Sequence, residues 1–237
     1  MILCMQYWDG DRDRAMETSR LIADMELQKQ DRHQFLFAYR FDAQLPDPET
    51  VRHVSEKFNV MKPHKGRRRE VGWPAGCNGL ACDILMLAAE KHREREWKTD
   101  AVWLIESDIV PLKRDWLDLI DAEWKQALAQ NKLVMGAWQK EWGINGHVNG
   151  NLVFHPTLCL KVAGLEGSAP QMGWDVYLAE KFRPHWWKSS QMANFYRHVD
   201  VKMEQLFPPR EPLAFVHGIK DDSGRRLVRE KHGLGKV

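Results

Sequence analysis

The sequence predicts an α/β fold in which a mixed, mostly parallel central sheet is flanked by helices. Two observations lead to this prediction. Apolar runs alternate with segments of helical spacing through residue 130, and residues 101–105 are apolar without interruption, as in a strand buried on both faces. Such alternation is typical of right-handed crossover units, whose ligand site lies beyond the carboxyl ends of the strands.

The first 130 residues predict the regular part of this fold. Turn-prone residues separate the segments, and proline at a first helical position marks a helix start. In chain order we expect a strand at 2–8, a helix at 12–29, a strand at 35–39, a helix from Asp47-Pro48, a basic loop at 62–79, a helix from about Asn78 through 88, a strand at 101–105 and a helix at 116–130.

The rest of the chain predicts a mixed pattern. We expect strands at 133–138, 151–155 and 214–217, with a Gly- and Trp-rich loop and a helix from about Gly173 between them. Neither an internal repeat nor a low-complexity linker divides the sequence. We therefore expect one domain over residues 1–237.

Composition narrows the class of protein. Charged residues make up 29% of the chain and are spread along it, and the formal net charge is only +2, so bulk charge indicates no obligatory polyanion partner. The four cysteines form no CxxC pair, which argues against a zinc ribbon and predicts reduced, buried thiols. The first apolar run has no basic leader and is too short for a membrane span, so we expect a cytoplasmic protein that makes no membrane contact.

Two carboxylates follow the strand at 101–105. Glu106 and Asp108 are two residues apart in extended chain, so their side chains lie on one side, where a buried strand opens to solvent. Such a pair can bind a hard divalent cation. In isolation, the same triplet is also typical of a solvated turn.

With the strand before it, Glu106-Ser107-Asp108 resembles the DXD-like motif of the GT-A glycosyltransferases, which binds the metal that bridges the two phosphates of a nucleotide sugar. Glu106 replaces the usual first Asp. We therefore expect Asp108 to be the principal carboxylate ligand of the metal. Glu106 is expected to bind the metal directly, to bind it through a water molecule, or to contact the ribose.

The segment Phe215-Val216-His217-Gly218-Ile219-Lys220 resembles the carboxyl-terminal His-Gly-x-Lys element that completes metal and phosphate binding in this family. The resemblance implies that His217 joins Asp108 on the metal. A mixed nitrogen and oxygen ligand set suits Mn²⁺ better than Mg²⁺. Lys220 would offset charge on the leaving diphosphate.

The resemblance also implies a donor site in the first half of the chain. Aromatic and acidic side chains after the first strand stand where the family binds the nucleoside base, and the glycines before Asn78 let a helix amino end approach a diphosphate, with Arg67–Arg69 adding charge. The residues assigned to the donor in this half are Tyr7, Trp8, Asp9, Arg40, Arg68, Asn78, Glu106 and Ser107, and Asp11 lies beside them.

The second half resembles the acceptor side of these enzymes. Gly146–Asn151 resembles a segment whose amides contact sugar hydroxyls, and we assign Asn149 to the sugar nucleotide. Gly173-Trp174-Asp175 resembles the motif that carries the catalytic base of inverting members, although a helix-capping carboxylate explains Asp175 as well. The tryptophans that we consider as apolar faces for a sugar ring are Trp138, Trp142 and Trp174.

The resemblance therefore predicts a glycosyltransferase that uses Mn²⁺, or Mg²⁺, and a nucleoside diphosphate sugar, with UDP as the expected nucleotide. Residues 1–130 would form the nucleotide-binding half, residues 131–220 the acceptor and catalytic half, and residues 221–237 a basic tail. We expect Asp175 to act in inverting transfer, and retention stays open because the His-Gly-x-Lys element also occurs in retaining families.

The acceptor is open at this stage. The chain resembles compact phage and bacterial glycosyltransferases, and basic residues at 65–69 and in the tail suit a nucleic-acid backbone, so hydroxymethylated pyrimidine in DNA is one hypothesis. A glycan or a protein is the other. Two different classes of function also stay open: a sugar nucleotidyltransferase, which needs a Gly-rich basic loop after its first strand, and a nucleic-acid-binding module without catalysis.

Overall fold

The computed structural model describes residues 1–140, 146–158, 172–177, 179–208 and 213–235. Its strands are β1 (Ile2–Tyr7), β2 (Gln30–Tyr39), β3 (Phe58–Val60), β4 (His64–Lys65), β5 (Val102–Ile105), β6 (Ile109–Pro111), β7 (Val134–Gln139), β8 (His147–Phe154), β9 (Trp186–Lys188), β10 (Met192–His198) and β11 (Phe215–Ile219). Its α-helices are α1 (Arg12–Met25), α2 (Pro48–Ser55), α3 (Ala75–Arg93), α4 (Trp116–Ala129), α5 (Trp174–Tyr177), α6 (Ala179–Phe182), α7 (Met203–Leu206) and α8 (Ser223–His232).

The strands form a large sheet and a small sheet. The large sheet has the order β3-β2-β1-β5-β8-β7-β9, with β4 also paired to β2, and the small sheet has the order β10-β11-β6. Pairing is parallel from β3 to β5 and antiparallel on both sides of β8. The predicted α/β class, with a mixed and mostly parallel central sheet, is confirmed.

The side chains of β1 point alternately to the two faces of the large sheet, and both faces are buried. Leu3 and Met5 pack into one buried cluster, and Ile2 and Cys4 pack into the other, because successive side chains of a strand point to opposite faces. Helices α1 and α4 contribute to the first cluster, and α3 contributes to the second. The carboxyl ends of the parallel strands are therefore the open edge at which a ligand can bind.

The chain passes from the large sheet to the small one at residues 106–108. Strand β5 belongs to the large sheet, and β6, which starts at Ile109, belongs to the small sheet. Strand β11 pairs antiparallel with β6, with His217 opposite Ile109. The acidic triplet is thus the connection between the two sheets, and a strand from the far end of the sequence lies directly beside it.

Several element boundaries differ from the sequence prediction. Strand β2 starts at Gln30 rather than 35, and α3 starts at Ala75 rather than near Asn78. Strand β8 starts at His147, so the Asn-Gly segment lies within a strand instead of preceding one. Strand β7 pairs with β8 at residues 147–148 and 152–154, on both sides of the Asn-Gly segment, and the register shifts between the two paired stretches as in a β-bulge.

The basic tail forms helix α8, which docks on α1. Arg225 pairs with Glu17, and Arg229 Nη1 lies 2.8 Å from Asp24 Oδ2. Only 5% of the surface of Arg225 is exposed. These two arginines therefore contribute to the packing of the helix against the protein.

Within the described ranges, the structure contains no helix with the length and apolar character of a membrane span. Cys4 and Cys82 are free and buried, as the sequence predicts, whereas Cys77 is free and exposed; Cys159 lies outside the described residues.

His33 on β2 is a buried titratable group. It is 1% exposed, and neither ring nitrogen has a hydrogen-bond partner among the described residues. Burial lowers the pKa of His33 to about 4, because the charged imidazolium is poorly solvated there. The unfolded chain, with an ordinary histidine pKa of about 6.5, binds this proton first, so acidification stabilises the unfolded state.

We expect His33→Phe to flatten the pH dependence of stability. The contribution of the neutral imidazole is fully present above pH 6.5 and is lost as the pH falls towards 4, and by pH 5 the loss is about 2 kcal/mol. Urea unfolding of both proteins at pH 7 and pH 5 measures it. Equal losses of stability in wild type and variant would contradict the burial argument.

Candidate functional site

Three side chains of types that can ligate a metal converge where the two sheets meet. One potential ligand atom each from Glu106, Asp108 and His217 lies within 4.8 Å of the other two. His217 Nε2 lies 2.7 Å from Glu106 Oε2 and 3.0 Å from Asp108 Oδ1. Two carboxylates and an imidazole form a donor set that fits a divalent transition metal. We call these residues the metal cluster.

Lys220 completes the charge balance around Asp108. The side chain of Asp108 is 3% exposed, and its two oxygens contact His217 and the Lys220 ammonium group. Gly218, between the two cationic residues, has a φ of 95°, a value that favours glycine. The glycine of His-Gly-x-Lys thus allows the backbone to bring both side chains onto one carboxylate.

The pKa values of this group reflect its burial and its charges. Burial alone would lower the pKa of His217, but the Asp108 and Glu106 carboxylates beside the ring raise it to about 10. Burial alone would raise the pKa of Asp108, but His217 and Lys220 hold it well below its usual range. The Asp108 carboxylate is therefore ionised at neutral pH despite its burial.

A cavity of about 460 Å³, the first cavity, opens at the carboxyl ends of β1, β2 and β5. Its walls include Tyr7 at the end of β1, Trp8 after it, Arg40 after β2 and the start of α3. The Arg40 guanidinium lies 5.2 Å from the centre of the Trp8 ring. This position at the open edge of a parallel sheet is where α/β proteins bind ligands.

Asp11 is the acidic side chain of the β1 segment that lines the first cavity. It accepts hydrogen bonds from Trp8 N at 2.9 Å and from Ser107 Oγ at 3.0 Å, and burial raises its pKa to about 6. Asp9 does not line this cavity, and its carboxylate accepts a hydrogen bond from Gln44 N at 3.0 Å. The nucleoside site proposed from the sequence thus has Asp11, rather than Asp9, in its wall.

Arg68 and Asn78 differ in position: Asn78 lines the first cavity with its amide bonded to backbone, and Arg68 lies outside that cavity. Arg68 pairs with Asp83 on α3 and does not line the first cavity. Asn78 is 1% exposed; its Oδ1 accepts from Trp174 N at 2.7 Å, and its Nδ2 donates to Met172 O at 3.0 Å. Asn78 therefore fixes the segment that carries Asp175.

A second cavity, of about 380 Å³, adjoins the first. Asn149 lies in its wall, as does His217 of the metal cluster. The residues that line both cavities form what we call the shared wall: Trp73, Glu106, Gly173, Asp175 and Lys220. A ligand in one cavity therefore meets a ligand in the other at the metal cluster.

Asp175 lies in the shared wall with a defined set of contacts. Its Oδ2 accepts a hydrogen bond from Gly150 N at 2.9 Å and lies 3.5 Å from His147 Nε2. A Cβ atom at Gly150 would lie 3.5 Å from Asp175 Oδ2 and 3.6 Å from Glu106 Oε1. Both carboxylates therefore flank the same point of β8, and Asp175 lies beside the metal cluster.

The tryptophans considered from the sequence differ in position. Trp174 is 5% exposed and packs against Phe182, and Trp138 packs edge-on against Trp186. Trp142 lies outside the described residues. Trp73, which sequence reasoning did not assign, is 67% exposed and belongs to the shared wall. The sequence signal that could have identified Trp73 is its place between Gly72 and Pro74, in the loop before the helix start assigned to the donor.

Comparison with solved structures identifies the fold. The glycosyltransferase GlyE of Streptococcus pneumoniae TIGR4 has a TM-score of 0.60 and 13% identity, over 99% of this chain and 60% of GlyE. The galactosyltransferase LgtC, in complex with donor and acceptor sugar analogues, has a TM-score of 0.58 and 10% identity, over 100% of this chain and 97% of LgtC. The bifunctional glycosyltransferase WbbM has a TM-score of 0.60 and 11% identity, over 99% of this chain and 51% of WbbM.

The fold is that of the GT-A glycosyltransferases. This likeness covers nearly the whole chain, whereas the chain spans only about 60% of GlyE and 51% of WbbM. No family model and no curated protein matches the sequence. The GT-A fold is therefore established by three-dimensional similarity at low sequence identity, and activity has to be argued from the site.

We expect Asn78→Ala to destabilise the protein by about 1–3 kcal/mol, because it leaves the buried Trp174 N–H and the Met172 carbonyl without their partner. Urea unfolding measures the change. Asn59→Ala, at an exposed position on β3, is the matched control and should change stability little. Equal stability of both variants would show that Asn78 does not fix this segment.

Proposed function

We propose that this protein is a metal-dependent glycosyltransferase that moves a sugar from a nucleoside diphosphate sugar, with UDP as the nucleotide, to an acceptor hydroxyl. One observation carries the proposal: Glu106, Asp108 and His217 converge at the junction of two adjoining cavities. The GT-A fold supports it, because LgtC, which shares that fold, was solved with donor and acceptor sugar analogues.

In this proposal the first cavity binds the donor. Trp8 offers an exposed aromatic face to the nucleobase, and Asp11 offers a carboxylate acceptor. The diphosphate lies at the metal cluster, beside Lys220. A bound Mn²⁺ would neutralise the charge that develops on the diphosphate as the sugar leaves. Glu106, Asp108 and His217 would hold that ion, with His217 as the neutral imidazole after loss of the ring proton that it carries without a metal.

Asp175 is the proposed base. Its position in the shared wall places a carboxylate beside both cavities, next to Glu106. As the acceptor oxygen forms a bond to the anomeric carbon, its proton passes to Asp175 and the bond to the diphosphate breaks with its electron pair on the departing oxygen. Lys220, next to Asp108, lies where its ammonium group can stabilise that oxygen. Direct displacement of this kind inverts the anomeric centre.

The rival classes find less support in the site. The segment after β1 is a short acidic 3-10 turn, Asp9–Asp11. A sugar nucleotidyltransferase needs a glycine-rich loop with basic side chains at this position to hold a triphosphate. A nucleic-acid-binding module does not require a cluster of two carboxylates and an imidazole in which Asp108 and His217 are buried. The metal cluster between the two cavities favours catalysis on a diphosphate.

We expect Asp108→Asn to reduce metal-dependent release of nucleoside diphosphate by about 10²–10³-fold, because it removes a metal ligand and a partner of Lys220. The measurement is nucleotide release from a panel of nucleotide sugars with Mn²⁺. Asp118→Asn, an exposed carboxylate on α4, is the control and should retain wild-type rates. Full activity of the Asp108 variant, or activity that survives chelation of the metal, would refute the proposal.

We expect Asp175→Asn to lower kcat by about 10²–10⁴-fold with little change in donor affinity, because the amide cannot accept the acceptor proton. Assays of sugar transfer, stopped at fixed times, measure kcat. Equilibrium binding of UDP with Mn²⁺ measures the affinity for the donor nucleotide. NMR of the anomeric proton of the product tests the stereochemistry. A product with the donor's anomeric configuration would exclude the direct displacement and reassign Asp175.

A further inference from the structure

Three side-chain amides form a connected cluster in the second cavity. Gln139 Oε1 accepts hydrogen bonds from Asn194 Nδ2 at 2.6 Å and from Asn149 Nδ2 at 3.3 Å. All three residues line the cavity, and we call them the amide cluster. Because each residue constrains the next, the amide groups are held in fixed orientations before any ligand enters.

The amide cluster joins both sheets beside the metal cluster. Gln139 is on β7 and Asn149 on β8 of the large sheet, whereas Asn194 is on β10 of the small sheet. Asn194 is paired in register with His217. Backbone pairing therefore fixes the position of the amides relative to the candidate metal ligands, as a site for an oriented substrate requires.

An apolar surface lies in the same cavity. Trp73 is 67% exposed and Met172 is 44% exposed, and both line it together with Val176. Large exposed apolar side chains in a concave site are typical of ligand contacts. Amides that donate and accept hydrogen bonds, combined with an aromatic face, match a ring that carries hydroxyl groups on its edge and C–H groups on its face.

The charges of the second cavity do not fit a phosphodiester backbone. Its carboxylates are Glu106 and Asp175, and its cationic side chains besides His217 are Lys220, which pairs with Asp108, and Arg197. Nucleic-acid sites instead have many lysines and arginines along the phosphates.

The basic residues that suggested a DNA acceptor lie elsewhere. Arg68 pairs with Asp83, the Arg69 guanidinium lies 4.9 Å from the centre of the Phe41 ring, and Arg225 and Arg229 pair with acidic residues of α1. None of these four side chains lines the second cavity. The charge pattern of the second cavity therefore favours a neutral acceptor over DNA.

We propose that the second cavity is the acceptor site for a neutral carbohydrate, in which the amide cluster binds the ring hydroxyls and Trp73 packs against a ring face. This inference rests on the proposed function and adds the chemical class of the acceptor. The transferred sugar is then joined to a hydroxyl of that carbohydrate, at the shared wall beside Asp175.

The test measures transfer from the nucleotide sugar that the wild-type protein hydrolyses with Mn²⁺. The acceptor probes are methyl hexopyranosides, neutral disaccharides and a single-stranded oligonucleotide that contains 5-hydroxymethylcytosine. We expect transfer to a neutral sugar that changes little between low and moderate salt. Asn149→Ala should raise the KM for that sugar roughly fivefold through the loss of one neutral hydrogen bond.

Trp73→Ala should raise the same KM roughly tenfold, and Trp73→Phe should restore most of the affinity, which loss of folding would not permit. Asn59→Ala, at an exposed position on β3 outside both cavities, is the control and should match wild type. Transfer to the oligonucleotide at a rate that falls steeply as salt increases would overturn this inference. So would hydrolysis of the nucleotide sugar by a protein that binds none of the neutral sugars in saturation-transfer NMR. The proposed function fails separately, if no nucleotide sugar is hydrolysed in a metal-dependent way.

Discussion

The antiparallel pairing of β6 with β11 is the constraint on which the site depends. Strand β6 follows the acidic triplet directly, and β11 carries His217 opposite Ile109. Gly218 N also donates to the carbonyl oxygen of Asp108 at 3.2 Å. Side chains that are 111 positions apart in sequence, Glu106 and His217, thereby lie within hydrogen-bond distance. The large sheet alone would supply the carboxylates without the imidazole.

Electrostatics makes this junction depend on all of its members. An ionised carboxylate as buried as Asp108 is stable only when opposite charges and hydrogen bonds replace the lost water. His217 and Lys220 supply both, and they come from one short segment. Removal of either cation would leave a buried charge with less compensation, so the same contacts that shape the site also contribute to the packing of the small sheet.

The sequence predicts the fold class and part of the site because those features are local. The apolar run before Glu106 indicates a buried strand, and strands of such sheets present their carboxyl ends to ligands, so the position of the acidic triplet follows. The contact between this triplet and His217 could be expected only from the order of motifs, because no local pattern indicates that the chain changes sheets at residue 106. Short strands such as β6 and β9 have too few residues for periodicity to reveal them.

The individual roles of polar residues were harder to predict than the fold. Asp9 and Asp11 are both acidic and two residues apart, and only the 3-10 turn after β1 decides that Asp11 enters the cavity. Asn78 follows glycines near a helix start, which suggests a ligand contact, yet its amide is used by the backbone at 172–174. Whether an amide contacts substrate or backbone depends on distant segments, which spacing along the chain does not reveal.

The division of the two cavities between separate parts of the chain has an evolutionary consequence. Apart from the shared wall, the first cavity is lined mainly by residues that precede 109, and the second by residues that follow 138. Substitutions on β7, β8 and β10 can therefore reshape the second cavity while the strand ends around the first stay unchanged. A lineage of such proteins can diversify what enters one cavity while it inherits the other intact.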